Sequence, residues 1–198
     1  MHRAHCRLIT LWFCVSLCSF VATPALAFVP QSLSMARHRA LGSSVSVIGS
    51  VTVPTGAFDA GFAIQGFVDG IYVLDAADHI QRALGDVVLV TGTLVDSFGL
   101  LAIQPTSVAC LFHGPTAPAH PHATGTVGEA TEGRLLRLHG TMVGPLVDDS
   151  PYGYKLAIDD GSGPVQVFLY PGSGISTAGL VDGVQIETSC FSNQYETT

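Results

Sequence analysis

Residues 154–169 read Tyr154-Lys-Leu-Ala-Ile-Asp-Asp-Gly-Ser-Gly-Pro-Val-Gln-Val-Phe-Leu169. Leu156 and Ile158 share one phase of an alternating run before the centre. Val165, Val167 and Leu169 share one phase after it. Alternation of period two is the pattern of a strand with one buried face. Asp and Gly accept the positive φ angles of a tight turn, so the stretch predicts a β-hairpin. The paired acids could also be read as calcium ligands. EF-hand spacing and its bidentate Glu are missing, and plain turn chemistry is the better reading.

Working outward, this hairpin is one block of a unit that occurs twice. Residues 135–145 (LLRLHGTMVGP) precede it and residues 180–197 (LVDGVQIETSCFSNQYET) follow it. The earlier copy runs through residues 45–56 (VSVIGSVTVPTG), 61–74 (GFAIQGFVDGIYVL) and 84–103 (LGDVVLVTGTLVDSFGLLAI). Each copy opens with a strand holding a central glycine, Gly49 or Gly140, and continues into a hairpin with an Asp-Gly turn. In the first copy a helix is expected over residues 76–84, capped by Asp75, with Ile80 and Leu84 at i, i+4. In the second, Gly174, Thr177 and Gly179 predict a loop or single turn over residues 173–180. Strand, hairpin, connector, strand, strand is the order of a small Greek-key barrel of the OB (oligonucleotide/oligosaccharide-binding) type. The expected fold is therefore all-β, with two tandem five-stranded barrels over residues 44–110 and 125–198. A Pro-rich extended linker, residues 111–124, joins them. Residues 28–43, with Arg37, His38 and Arg39, are expected to be loose.

Three stretches carry a family resemblance. They are Glu129-Ala-Thr-Glu-Gly133 with Arg134-Leu-Leu-Arg-Leu-His-Gly140, Ile158-Asp-Asp-Gly-Ser-Gly163 with residues 165–168, and Ser192-Asn-Gln-Tyr195. Over residues 45–195 the chain resembles secreted bacterial proteins with tandem OB-fold modules, including those that accompany extracellular nucleases. That family continues past the Tyr195 position with a final strand, whereas this sequence stops at Thr198. The second barrel is thus expected to be incomplete at its C-terminal strand.

Ahead of the repeats, His2, Arg3, His5 and Arg7 precede an apolar run over residues 8–22 and the triplet Ala25-Leu26-Ala27. This is the order of a secretory signal peptide, residues 1–27, and predicts export. The run is shorter than the ~20 residues of a membrane span, so no stable membrane insertion is expected after cleavage. Cleavage removes two of eight cations and none of fifteen acids, taking the net charge from −7 to −9. Cys110 and Cys190 are the cysteines left.

No motif for nucleophilic, phosphate-transfer or metalloprotease chemistry is present, so no enzyme, cofactor or metal is expected. His120-Pro-His122 is the best metal-like fragment, but a zinc site needs three or four ligands. The outward strand phase of the second unit remains. It holds Arg137, His139, Lys155, Gln166, Phe168 and Tyr170. Cations beside aromatic rings suit single-stranded nucleic acid. The equivalent phase of the first unit (Ile48, Ser50, Thr52, Ala63, Gln65, Tyr72) has no cation. The expected function is a secreted, non-enzymatic binding protein for single-stranded nucleic acid. The alternative is a protein- or glycan-interaction module, which the charge of −9 favours because it opposes phosphate affinity.

Overall fold

The computed structural model describes residues 29–57, 59–75 and 79–194. The proposed signal peptide, residues 1–27, lies outside them. Among the described residues no helix is long and apolar enough to cross a membrane.

The protein is all-β, and its first unit is a closed barrel. Five strands build it: β1 (Ser44–Val53), β2 (Phe62–Gln65), β3 (Gly70–Val73), β4 (Asp86–Ser97) and β5 (Leu100–His113). Their spatial order is β1-β2-β3-β5-β4, with β4 returning to β1. β3 and β5 run parallel, and the other pairs are antiparallel. Alternate residues point inward, and Val45, Val47, Val51, Ile64, Ile71, Val88, Val90 and Ile103 are fully buried. Gly49 falls in the same inward phase. A Cβ there would meet the Ile64 side chain at 3.0 Å, so the glycine lets the barrel close around that residue.

The segment expected to be loose forms a short helix, α1 (Leu33–Arg37). Ser32 caps it by accepting the Met35 N–H at 3.2 Å. Leu33 and Ala36, three apart, are buried in the barrel core. Burial of that pair decides the outcome where the surrounding sequence has no apolar period.

The connector from β3 to β4 goes the other way. Residues 76–78 lie outside the description, and residues 79–84 contain no helix. The Arg82 N–H donates to the Thr55 hydroxyl at 3.0 Å, and the Ala83 N–H to the Asp86 carboxylate at 2.8 Å. The Arg82 side chain is buried and donates to the Ile80 carbonyl. Ile80 and Leu84, assigned to a helix face, are exposed instead.

The second unit contains β6 (His120–Pro121), β7 (Leu135–Asp148), β8 (Tyr154–Asp159), β9 (Val165–Leu169) and β10 (Gln185–Phe191). It repeats the first in register. Gly49 pairs with Val88, and Gly140 pairs with Ile186. Ser50 pairs with Gln65, and Thr141 with Asp159. Phe62 pairs with Val73, and Leu156 with Val167. Its core is Leu136, Leu138, Met142, Leu156, Ile158, Val167 and Leu169. A second closed barrel is not seen among the described residues. The sheet runs β10-β7-β8-β9 and stays open, because among the described residues no strand lies between β9 and β10. The connector over residues 173–180 has no regular element beyond the end of a 3₁₀ turn at Pro171–Ser173.

The Pro-rich stretch is held at both ends. β5 runs to His113, and His120–Pro121 lies parallel to β7. The Thr124 hydroxyl donates to Asp160 at 2.8 Å. Cys110 is exposed, Cys190 is half-buried, and both are free thiols.

The two units pack closely. Arg37 Nη2 lies 2.9 Å from Glu132 Oε1, with the two side chains 12% and 1% exposed. Arg37 also donates to the Gly70 carbonyl at 3.0 Å. A Cβ on Gly70 would overlap the Gly133 carbonyl, so two glycines allow the backbones to meet. The Leu135 N–H donates to Gln65 Oε1 at 2.8 Å, and the rings of Tyr72 and Phe191 lie 6.0 Å apart.

Removing one partner of a buried ion pair leaves the other uncompensated. Glu132→Ala should lower stability by about 3 kcal/mol in chemical denaturation, and Arg37→Met with Glu132→Leu should recover most of that loss. If the single variant unfolds like the wild type, the pair is not holding the units together.

Amides at an open sheet edge exchange by local opening. Hydrogen exchange should therefore be faster in β9 and β10 than in β3 and β4. Equal protection in all four would mean that the open edge costs the second unit nothing.

Candidate binding face of the second unit

The outward face of β7, β8 and β9 is set by the alternation that buries Leu138, Met142, Leu156, Ile158 and Val167. Arg137 and His139 on β7 are exposed, as are Gln166 on β9 and Tyr170 just after it. Lys155 and Phe168 are half-exposed. All six predicted side chains therefore lie in the outward phase.

The face has rows fixed by strand register. Val147, Lys155 and Phe168 form one row, and Val143, Ala157 and Gln166 the next. Thr141 and Asp159 follow, then His139 with Glu187, then Arg137 with Ser189. From the Lys155 row to His139 is six residues of strand, roughly 20 Å. The predicted set thus divides. Lys155, Phe168 and Tyr170 gather at one end, Gln166 sits beside them, and Arg137 and His139 lie at the other end.

Within the aromatic end, Phe168 and Tyr170 meet edge to face at 4.8 Å between centroids and 68° between planes. This is a favoured arrangement of two ring quadrupoles. Lys155 Nζ stands 5.9 Å from the Phe168 centroid, within cation–π range. The same ammonium is 2.7 Å from Asp149 Oδ2, so its charge is already met. Asp149 lies in the loop between β7 and β8, which also carries Tyr152, 70% exposed. Neither residue is evident from strand alternation, since both sit in a turn.

The hairpin acids have local partners. Asp159 Oδ1 accepts the N–H groups of Gly161 at 2.7 Å and Gly163 at 3.1 Å. Hydrogen bonds from the Ser162 hydroxyl and amide, and then from Thr124, hold the Asp160 carboxyl well below the usual aspartate range. The His122 N–H donates to the Arg137 carbonyl at 3.0 Å. Among the described residues no cluster of three or more His, Cys, Asp or Glu could hold a metal ion.

The matching face of the first unit is covered only in part, with Ile48 exposed and Ser50 half-buried. Thr52, Ala63, Gln65 and Tyr72 are all buried. Gln65 accepts from Leu135, and Tyr72 packs on Phe191 of the second unit. Burial also pushes the Tyr72 phenol well above its ordinary value. No family model, curated protein or solved structure matches the chain.

Asp160 ties the hairpin to the segment that enters the second unit. A carboxylate with a depressed folded pKa stabilises above its unfolded pKa and loses that effect as the pH falls. Asp160→Asn should thus be less stable than wild type at pH 5–7, with the gap shrinking below about pH 4. A gap independent of pH, read from thermal midpoints, would show that the ionised form is not what matters.

Proposed function

We propose that the chain is an exported, non-enzymatic binding protein built from two OB-type units, whose ligand lies across β8 and β9 of the second unit. One observation carries the reading: the two copies present the same face differently. In the first, Gln65 and Tyr72 are buried against Leu135 and Phe191 of the second unit, while in the second the face is open and gathers Lys155, Phe168 and Tyr170. The strand order β1-β2-β3-β5-β4 of the first unit supports the OB assignment, since a five-stranded Greek-key barrel is the form of that fold.

Single-stranded nucleic acid is the ligand class that aromatic rings beside a cation support, by base stacking with phosphate contact. The charge of the face weakens it. A phosphate must displace Asp149 from Lys155, and Glu187 stands in the ladder beside His139. The Lys155–Asp149 pair favours a second reading, a glycan. An uncharged sugar ring can lie on Tyr170 without separating that pair.

A labelled oligonucleotide and a labelled oligosaccharide, each titrated at two salt concentrations, separate the readings. If nucleic acid binds, affinity should fall as salt rises. Asp149→Asn should then tighten it by freeing Lys155. Phe168→Ala should cost on the order of 1–3 kcal/mol if one base stacks there, and Tyr72→Ala should do much less in variants that remain folded. Binding that ignores salt and Asp149→Asn supports the glycan. If neither ligand binds, or Tyr72→Ala weakens binding as much as Phe168→Ala, the face is wrongly assigned.

A further inference from the structure

Two turns of the first barrel carry apolar side chains where turns ordinarily hold glycine, asparagine, aspartate or serine. The β2–β3 turn is closed by the Gly66 N–H, which donates to the Asp69 carbonyl at 2.8 Å. Its two central residues are Phe67, 95% exposed, and Val68, 57% exposed. The β4–β5 turn holds Phe98, 63% exposed, and the Gly99 N–H there donates to the Asp96 carboxylate at 2.9 Å. β3 and β5 are parallel neighbours with Tyr72 beside Ala102, so Gly70 and Leu100 are level and both turns project from the same end of the barrel. Neighbouring strands lie about 4.8 Å apart, which brings the two tips together. α1 and the chain after it wrap this end. A Cβ on Gly66 would meet the Leu33 side chain at 3.3 Å, and the Gly42 N–H donates to the Leu94 carbonyl at 2.8 Å. This segment adds Met35 and Leu41, both exposed.

Turn formation does not call for these residues. Phe98 has a φ of 55°, a left-handed conformation that glycine adopts freely and a bulky side chain resists. The counterpart of the β2–β3 turn in the second unit, residues 160–163, reads Asp-Gly-Ser-Gly. The same scaffold therefore turns with polar and small residues in one copy and with exposed rings in the other.

We infer that this end of the first barrel is a lipid-contact surface, which sets Phe67, Val68 and Phe98 into the interfacial region of a phospholipid bilayer. The shape of the patch points to that partner. Its apolar side chains stand on three separate segments, at turn tips and not along a groove or a strand edge. The boundary between headgroups and acyl chains admits such side chains one by one. The charge agrees. Arg37 is met by Glu132, which leaves His38 and Arg39 against Asp69 and Asp96 on these segments. With His38 neutral that is one cation against two acids, while the chain as a whole stands at −7. Headgroup phosphates are thus repelled little here, and apolar burial decides the contact.

The probe is a vesicle of phosphatidylcholine. Trp12 is the single tryptophan of the sequence, so Trp12→Phe with Phe67→Trp places one reporter on the β2–β3 turn. Its emission should shift to shorter wavelength when vesicles are added, and acyl chains brominated near the headgroup should quench it. The readout is local to the turn, whatever residues 1–27 do. Tyr152→Trp with Trp12→Phe, on the second unit, should show neither effect. Glycine suits the backbone at residue 98, so Phe98→Gly should stay folded by circular dichroism. In the reporter background it should cut quenching about fivefold at sub-saturating lipid. Quenching should persist at high salt. No shift and no quenching overturn the proposal, as does quenching unchanged by Phe98→Gly. Quenching that vanishes in salt makes the contact electrostatic and overturns it as well. A shift that grows with protein concentration in the absence of lipid assigns the patch to a second copy and also overturns it. None of these outcomes depends on what binds the outward face of the second unit.

Discussion

A carboxylate that is 1% exposed must be met by a cation, and Glu132 is met by Arg37. Desolvating both charges is costly, and the pair persists only because its geometry is fixed on each side. α1 presents the arginine, and the approach of Gly70 to Gly133 presents the carboxylate. That contact brings Leu135 onto Gln65 and Phe191 onto Tyr72. The two copies are thus one packed body, and the packing decides which face each has left to offer.

Register preservation explains why so different a pair of surfaces can share one scaffold. Gly140 has the same place as Gly49, and a Cβ on it would meet the Asp159 backbone at 2.9 Å. The inward phase keeps the fold in both units. The outward phase has gone to contact in one, with small or satisfied groups such as Ala63 and Gln65, and to rings and charge in the other.

The hairpins and the duplication were legible in the sequence because period two and Asp-Gly turns are local signals. So was the outward phase of Arg137, His139, Lys155, Gln166, Phe168 and Tyr170, which follows from alternation alone. What was hidden depends on tertiary partners. α1 is five residues long and leaves no period to detect. The connector's helix-like Ile80 and Leu84 yield to Arg82, whose burial is a property of the barrel it packs against. The Lys155–Asp149 pair joins a strand to a loop across six positions and has no sequence pattern. The contacts of Gln65 and Tyr72 with Leu135 and Phe191 join the two units and could not be seen in either copy by itself.

The close approach of Gly70 to Gly133 also sets how the two copies can diverge. A substitution on the outward side of the first unit is felt by the second, since Gln65 and Tyr72 answer to Leu135 and Phe191. A substitution at Gln166, which is exposed, or at Tyr170, which packs on Phe168, is felt within the second unit. The outward residues Gln65 and Tyr72 of the first copy are therefore tied to its twin, while Gln166 and Tyr170 of the second stay exposed. Surface change can accumulate on the outward strands of the second repeat, while the first is constrained by its contacts with Leu135 and Phe191.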